Sequence, residues 1–146
     1  MDDVALLALR ATSLAGLDLR LQLPAMPVAV AEVRHVLRRW LRANGATEDE
    51  AFEILVACSE AQTNAVRHAY RGPEGVVDIE ASAEGSIVTI TIRDHGTRRE
   101  RSTSVDDHGG RGVPLMRELA DVEVNVDQRG TEVTIRRELS GIPSKP

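Results

Sequence analysis

The chain has 146 residues, of which 42% are hydrophobic, and it carries a formal net charge of −5 at pH 7. This length is typical of one domain, which can bury roughly two-thirds of its unfolded surface without a disulfide or a metal. Lys145 is the only lysine among the 18 basic residues. The chain therefore lacks the lysine that a Walker A loop, a VAIK-type kinase strand or a Schiff-base site requires.

The composition also argues against several kinds of partner. Aromatic residues make up 2% of an acidic chain, whereas proteins that read nucleic acids usually carry a basic face with stacking aromatic rings. The single cysteine, Cys58, excludes an internal disulfide and a multi-cysteine zinc site. Its apolar helical surroundings favour a buried thiol over a nucleophile. No apolar run reaches the roughly 18 residues of a membrane span, and the acidic start does not resemble a signal peptide. We therefore expect a cytoplasmic protein without direct nucleic-acid or membrane partners.

The first half of the chain contains one predicted strand and two predicted helices. Apolar and polar residues alternate over residues 17–23, which indicates a half-buried strand. Helical spacing follows over residues 28–43 and ends at Asn44 and Gly45, a helix-stop signal. Thr47 and Glu50 then form a capping box, which predicts a long helix over residues 48–69.

The second half contains two predicted hairpins separated by a loop and a short helix. Apolar and polar residues alternate in all four strands of these hairpins. The first hairpin joins the strands 76–83 and 86–93, and the second joins the strands 121–126 and 132–139. Residues 94–109 form a long polar loop, and residues 112–120 form the short helix. Loops of this length inside a compact domain are usually functional or disordered.

This order of elements predicts the fold class. Hairpins give a sheet with mostly antiparallel pairing, and three helices can cover one of its faces. We predict an α/β, two-layer sandwich of a mixed, mostly antiparallel sheet. The domain spans residues 17–139, residues 1–16 form an extension or linker, and residues 140–146 form a tail.

The long predicted helix presents polar residues at helical spacing. Glu60, Asn64 and His68 are four residues apart and share one face, with alanines around them. A carboxylate and an amide on such a face could hold a magnesium ion and orient an attacking hydroxyl. An ordinary solvated polar face has the same pattern, and the helix alone favours that interpretation.

Aspartate, glycine and threonine at strand ends form a second group of candidates. Asp94 and Gly96 follow an alternating strand, but the same residues are common in turns. Gly130 and Thr131 open the last strand, where a plain hairpin turn explains them equally well.

A glycine cluster precedes the short helix. Gly110, Arg111 and Gly112 lead directly into it, and backbone N–H groups at a helix start favour an anion. A flexible loop hinge has the same composition.

Taken in order, these segments resemble the motifs of the GHKL ATPase superfamily. Residues 59–70, SEAQTNAVRHAY, are similar to its N box. Asp94 to Gly96 resembles the first glycine box, Gly110 to Gly112 the second, and Gly130 with Thr131 the closing motif. The detailed form is similar to the anti-sigma-factor serine kinases of bacterial partner-switching systems, over nearly the whole of residues 17–139.

The resemblance implies a Bergerat-type fold with an ATP site. Glu60 would be the general base, Asn64 would coordinate Mg²⁺, and His68 would belong to the nucleotide-binding residues. Asp94 would accept a hydrogen bond from the adenine amino group, with support from Thr131.

On the remaining sides of the nucleotide, the resemblance implies glycine and arginine contacts. Gly96 would allow the backbone to approach the base, while Gly110 and Gly112 would shape the lid over the phosphates. Arg111 would help to neutralise the triphosphate, because arginine binds phosphate in a bidentate way.

The implied function is an ATP-dependent serine kinase that phosphorylates an anti-sigma-factor antagonist and sequesters a sigma factor. The family often dimerises, so a homodimer is also implied. Arg98 stands where the first glycine box usually has its second glycine. This departure favours an alternative, a non-catalytic module that binds ATP only as a structural ligand, or binds no nucleotide, and sequesters the sigma factor or its antagonist. A histidine kinase ranks lower, because it needs a separate phospho-accepting region.

The start of the chain shows a second resemblance. Residues 2–10, with Asp2 and Asp3, look like the closing strand of SpoIIE-type metal-dependent serine phosphatases. This similarity implies that the chain is a piece of a larger phosphatase–kinase protein, with residues 11–16 as the linker.

Overall fold

The computed structural model describes residues 18–68, 75–95, 112–127 and 130–140. Within these ranges the chain forms five strands and three helices. In chain order they are β1 (Leu19–Pro24), α1 (Pro27–Ala43), α2 (Glu48–His68), β2 (Val76–Glu84), β3 (Ile87–Asp94), α3 (Gly112–Leu119), β4 (Asp121–Asp127) and β5 (Gly130–Glu138).

The strands form one sheet in the order β1-β2-β3-β5-β4. All four pairings between the described strands are antiparallel, so the sheet is antiparallel rather than mixed over this part of the chain. Alternate residues of β1, β2, β3 and β5 are buried and join the buried faces of the helices in one core. The predicted two-layer α/β sandwich is therefore confirmed.

Two boundaries differ from the prediction in a way that concerns function. Asp94 is the last residue of β3, one position beyond the predicted strand 86–93, and β5 begins at Gly130, two positions before the predicted strand 132–139. Both are paired with a neighbouring strand, Asp94 with Val77 and Gly130 with Asp127. The remaining residues of the predicted loop, 96–109, and the segment 1–17 lie outside the described residues.

The capping box at the start of α2 has an additional partner. The Thr47 backbone N–H donates to Glu50 Oε1 at 3.0 Å, and the Glu50 N–H donates to Thr47 Oγ1 at 3.1 Å. Glu50 Oε2 accepts hydrogen bonds from the backbone N–H and the hydroxyl of Ser140, at 2.7 and 2.6 Å. The buried Glu50 carboxylate thus ties the chain beyond β5 to the first turn of α2.

We expect the Glu50→Ala variant to lose about 2 kcal/mol of unfolding free energy at pH 7, since the charge-assisted hydrogen bonds that the buried Glu50 carboxylate accepts from Thr47 and Ser140 disappear. Burial raises the pKa of Glu50, but hydrogen bonds from Ser140 and Thr47 and the charge of Arg137 outweigh it and lower the pKa from 4.5 to about 2. A folded-state pKa below the unfolded value means that this stabilisation is full above about pH 4.5 and disappears as the pH falls towards 2.

Urea denaturation of wild type and variant at pH 7 and pH 3 measures this effect. Asp49→Ala is the matched control, because Asp49 is an exposed acid in the same helical turn. We expect the stability gap between wild type and Glu50→Ala to narrow at pH 3. A gap that is equal at both pH values, or an equal loss in Asp49→Ala, would show that the Glu50 carboxylate does not tie the two elements together.

Gln62 is a polar residue on the core side of α2. It is 2% exposed and lies one turn from the buried Cys58. Its side-chain amide forms no hydrogen bond to another residue in the described part of the chain. Burial of an unbonded amide is unfavourable, so we expect Gln62→Leu to raise the unfolding free energy by about 1 kcal/mol.

Thermal unfolding of Gln62→Leu and Gln62→Glu tests this interpretation. Glutamate has the same size as glutamine but adds a charge, so it should lower the melting temperature where leucine raises it. A lower melting temperature for Gln62→Leu would mean that the amide is stabilising.

Candidate functional site

Asp94 and Thr131 meet where the end of β3 lies beside the start of β5. Asp94 is 2% exposed and Thr131 is also buried. The Thr131 backbone N–H donates to Asp94 Oδ1 at 3.3 Å. Burial alternates along both strands, so Asp94 and Thr131 face the helix layer together with Ile92 and Val133. A buried carboxylate is thereby fixed at one end of the sheet, with Oδ1 engaged by the backbone of the neighbouring strand.

Gly130 allows this junction to form. Its φ of +148° lies in a region that residues with side chains rarely adopt. A Cβ atom at Gly130 would lie 1.9 Å from the Asp94 carbonyl oxygen, far inside van der Waals contact. The glycine is therefore required by the close passage of β5 across Asp94, and a turn alone does not explain it.

Helix α2 carries the other candidate residues. Glu60 and Asn64 are one turn apart on one face, as predicted, and both are half-buried. The alanines that alternate with them, Ala57, Ala61 and Ala65, are buried. The same helix packs against β3 and β5, the strands that carry Asp94 and Thr131. The structure thus packs the helix that carries Glu60 and Asn64 against the strands that carry Asp94 and Thr131.

Some of the predicted site residues lie outside this description. Gly96, Gly110 and Arg111 are not among the described residues, and neither is the side chain of His68. Gly112 is the first residue of α3, so the predicted helix start is present. Helix α3 packs against α2.

The face of the sheet away from the helices carries a polar group that the sequence did not indicate. His95 Nε2 lies 2.7 Å from Asp78 Oδ2, and Gln22 Nε2 donates to Asp78 Oδ1 at 2.8 Å. Burial of Asp78 raises its pKa, but the hydrogen bonds from His95 and Gln22 and the charges of His95 and Arg93 outweigh it, so the pKa is lowered. The pair is not evident from the sequence, because Asp78 occupies a polar position of an alternating strand and His95 lies 17 residues away.

A cavity of about 360 Å³ lies at this end of the sheet, lined by residues 93–95 and 130–132 and by Asn125. Arg93 Nη2 and Glu132 Oε2, on its wall, form an ion pair at 2.9 Å. The cavity borders the Asp94–Thr131 junction and His95. The buried Asp94 side chain itself faces the helix-covered side of the sheet.

The donor atoms on α2 suit a hard cation. Magnesium prefers oxygen ligands and often takes only one or two from the protein, and the Asn64 amide and Glu60 carboxylate offer such atoms. Among the described residues, no group of three or more His, Cys, Asp and Glu side chains could hold a metal ion. None of the described helices has the length and apolar character to cross a membrane.

Comparison with known proteins identifies similar domains. Residues 23–137 match the family model of the histidine kinase-like ATPase domain. An anti-sigma F factor of Anoxybacillus flavithermus is 33% identical over 128 residues, covering 80% of this chain and 87% of the relative. An anti-sigma F factor of Halalkalibacterium halodurans is 36% identical over 108 residues, covering 64% of this chain and 73% of the relative.

A solved structure shows the same architecture. It contains the RsbU and RsbW domains of Rv1364c from Mycobacterium tuberculosis. The TM-score is 0.70 at 26% sequence identity, and the match covers 84% of this chain. The present chain spans 32% of that solved chain.

Proposed function

The chain belongs to the histidine kinase-like ATPase family and, within it, to the anti-sigma-factor kinases, and from this premise we propose that it is an ATP-dependent serine kinase. Its substrate is a serine of an anti-sigma-factor antagonist, and it also sequesters a sigma factor. The observation that carries the proposal is the buried Asp94 carboxylate, fixed by Thr131 and bordered by the helix that presents Glu60 and Asn64.

Asp94 supplies the recognition of adenine in this proposal. Its carboxylate accepts a hydrogen bond from the exocyclic amino group, while the Thr131 N–H holds Oδ1 in place. Because the carboxylate is almost fully buried, a hydrogen bond to it excludes water and counts for more than it would at the surface. Thr131 also offers its hydroxyl to the base, directly or through a water molecule.

The remaining contacts to the base and the phosphates follow from the family resemblance. Gly96 lets the backbone approach the base, Gly110 and Gly112 shape the lid, and Arg111 meets the triphosphate. His68 belongs to the same nucleotide-binding set. Arginine and helix-start amides can neutralise phosphate charge, so a site of this type functions without lysine.

Glu60 acts as the general base. It takes the proton of the substrate serine hydroxyl as the serine oxygen bonds to the γ-phosphorus and the bond to the β–γ bridging oxygen breaks. ADP leaves with the electron pair of that bond. Asn64 would hold Mg²⁺ through its side-chain oxygen, and the bound ion would supply charge neutralisation for the phosphates.

Detection of phosphoserine tests the proposal. The full chain is incubated with Mg-ATP and a candidate antagonist, and mass spectrometry locates the phosphate. We expect one modified serine, and none in the antagonist whose serine is replaced by alanine. If phosphate is absent from every antagonist that forms a complex with the chain, while ATP binds, the protein is a sequestering module instead of a kinase.

The organisation of the chain is part of the same proposal. Residues 17–139 form the kinase domain, residues 140–146 form a tail, and residues 1–16 form an N-terminal extension in which residues 2–10 resemble the end of a phosphatase domain and residues 11–16 are a linker. A cytoplasmic homodimer is the assembly that the family resemblance favours. Sedimentation at micromolar concentration tests the dimer, and the gene context tests the origin of residues 1–16.

A further inference from the structure

We propose that Asp78 and His95 act as a positioning pair for Asp94, and that this pair sharpens the selection of adenine. The inference rests on the proposed function, since it assigns to Asp94 the recognition of the adenine amino group. Asp78 and His95 lie on the sheet face away from the helices. They act through the backbone and do not touch the nucleotide.

The first observation concerns where the strand pairing stops. The pairing of β3 with β2 ends at Asp94 opposite Val77, and the pairing of β3 with β5 ends at Arg93 opposite Glu132. His95 is therefore the first residue beyond the ladder. Its bond to Asp78 extends the attachment of β3 to β2 by one residue, on the carboxyl side of Asp94.

The second observation concerns how Asp78 is itself held. Each of its carboxylate oxygens has its own partner, Oδ1 bonded to Gln22 of β1 and Oδ2 to His95. The guanidinium of Arg93, opposite Asp78 in the register, is bonded to Glu132. The hydrogen bond from Gln22 thereby orients the Asp78 carboxylate towards His95 and limits the rotamers that Asp78 can adopt.

Asp94 consequently lies between two fixed points. On the helix side, the Thr131 N–H binds its carboxylate. On the opposite side, the imidazole of the next residue is anchored to β2. A displacement of His95 would turn the peptide that joins it to Asp94, and a hydrogen bond between carboxylate and adenine weakens steeply when its angle departs from linearity.

Two nucleotides that differ at one position test the pair. ATP has the amino group that Asp94 recognises, and inosine triphosphate has a carbonyl oxygen there. We expect Asp78→Ala and His95→Ala each to lower the ratio of ATP affinity to inosine triphosphate affinity by about 3- to 10-fold. The double variant should lose no more selectivity for ATP than either single variant, because both substitutions remove the same bond.

Two further variants separate positioning from a general loss of stability. His95→Gln keeps a side-chain N–H that can donate to Asp78, so it should retain most of the selectivity. Glu80→Ala is the matched control. Glu80 is on the same strand and face, with an exposed partner, Arg20, at 3.9 Å, and its loss should leave the affinity ratio unchanged.

Calorimetric titrations of the full chain give each affinity, and thermal unfolding confirms that each variant is folded. Unchanged ATP affinity in Asp78→Ala and His95→Ala would overturn the inference and leave the proposed function intact. Equal losses of affinity for ATP and inosine triphosphate, or additive losses of selectivity in the double variant, would also overturn the inference. If the wild type binds neither nucleotide, the proposed function fails, and the inference fails with it.

Discussion

The Glu60→Gln variant should transfer phosphate to serine about 10²- to 10⁴-fold more slowly than the wild type, the range expected on removal of a general base. Glutamine keeps the length of the side chain and its place on α2, but its amide cannot take the serine proton. ATP affinity should change by less than about 3-fold, because the base acts on the attacking hydroxyl. Initial rates of phosphoserine formation and a calorimetric titration measure the two quantities separately.

Glu53→Gln provides the control for this experiment. Glu53 is two turns earlier on α2, and its carboxylate is paired with Arg137 at 2.9 Å. The variant removes a half-buried carboxylate from the same helix and should keep nearly the wild-type rate. A Glu60→Gln variant with the wild-type rate would exclude Glu60 as the base. If ATP affinity falls in parallel with the rate, Glu60 acts in binding.

The Gly130→Ala variant should lose about 2–4 kcal/mol of unfolding free energy and most of its ATP affinity. The new Cβ would meet the Asp94 carbonyl oxygen at 1.9 Å, so β3 and β5 must separate at the point where Thr131 binds Asp94. The φ of +148° adds a backbone cost for any residue with a side chain. Urea denaturation measures the stability of the variant, and ATP titration measures its binding.

Gly85→Ala is the matched control for Gly130→Ala. Gly85 also has a positive φ, +62°, but no atom lies within 4 Å of a Cβ built there. Alanine at Gly85 should cost about 1 kcal/mol, which is the cost of the left-handed conformation, and should leave ATP affinity unchanged. Equal effects of the two substitutions on ATP binding would mean that the contact of Gly130 with Asp94 is irrelevant to the site.

The parts of the structure that depend on local patterns could be predicted from the sequence. Alternation and helical spacing identified every described strand and helix to within a few residues. The capping box of Thr47 and Glu50 formed as predicted. The spacing of Glu60 and Asn64 placed both on one helix face, because that relation depends only on the geometry of a helix.

The parts that depend on the register of strands could not be predicted in this way. The bond between Glu50 and Ser140 joins residues 90 positions apart, and the bond between Asp78 and His95 requires the pairing of β2 with β3. Gly130 looked like a hairpin glycine, since the passage of β5 across Asp94 is a property of the assembled sheet. The motif resemblance singled out Gly130 with Thr131, and the structure supplies the physical reason.

Titration of Mg-ATP into the wild type and into Asp94→Asn tests the nucleotide site most directly. We predict one binding site per chain in the wild type and at least about tenfold weaker binding in Asp94→Asn, because asparagine has no charge to strengthen the bond to the adenine amino group. Thermal unfolding of the variant in the absence of nucleotide shows whether the fold is retained. No heat with the wild type at millimolar ATP, or equal affinities for the wild type and a folded Asp94→Asn variant, would contradict an ATP site at Asp94.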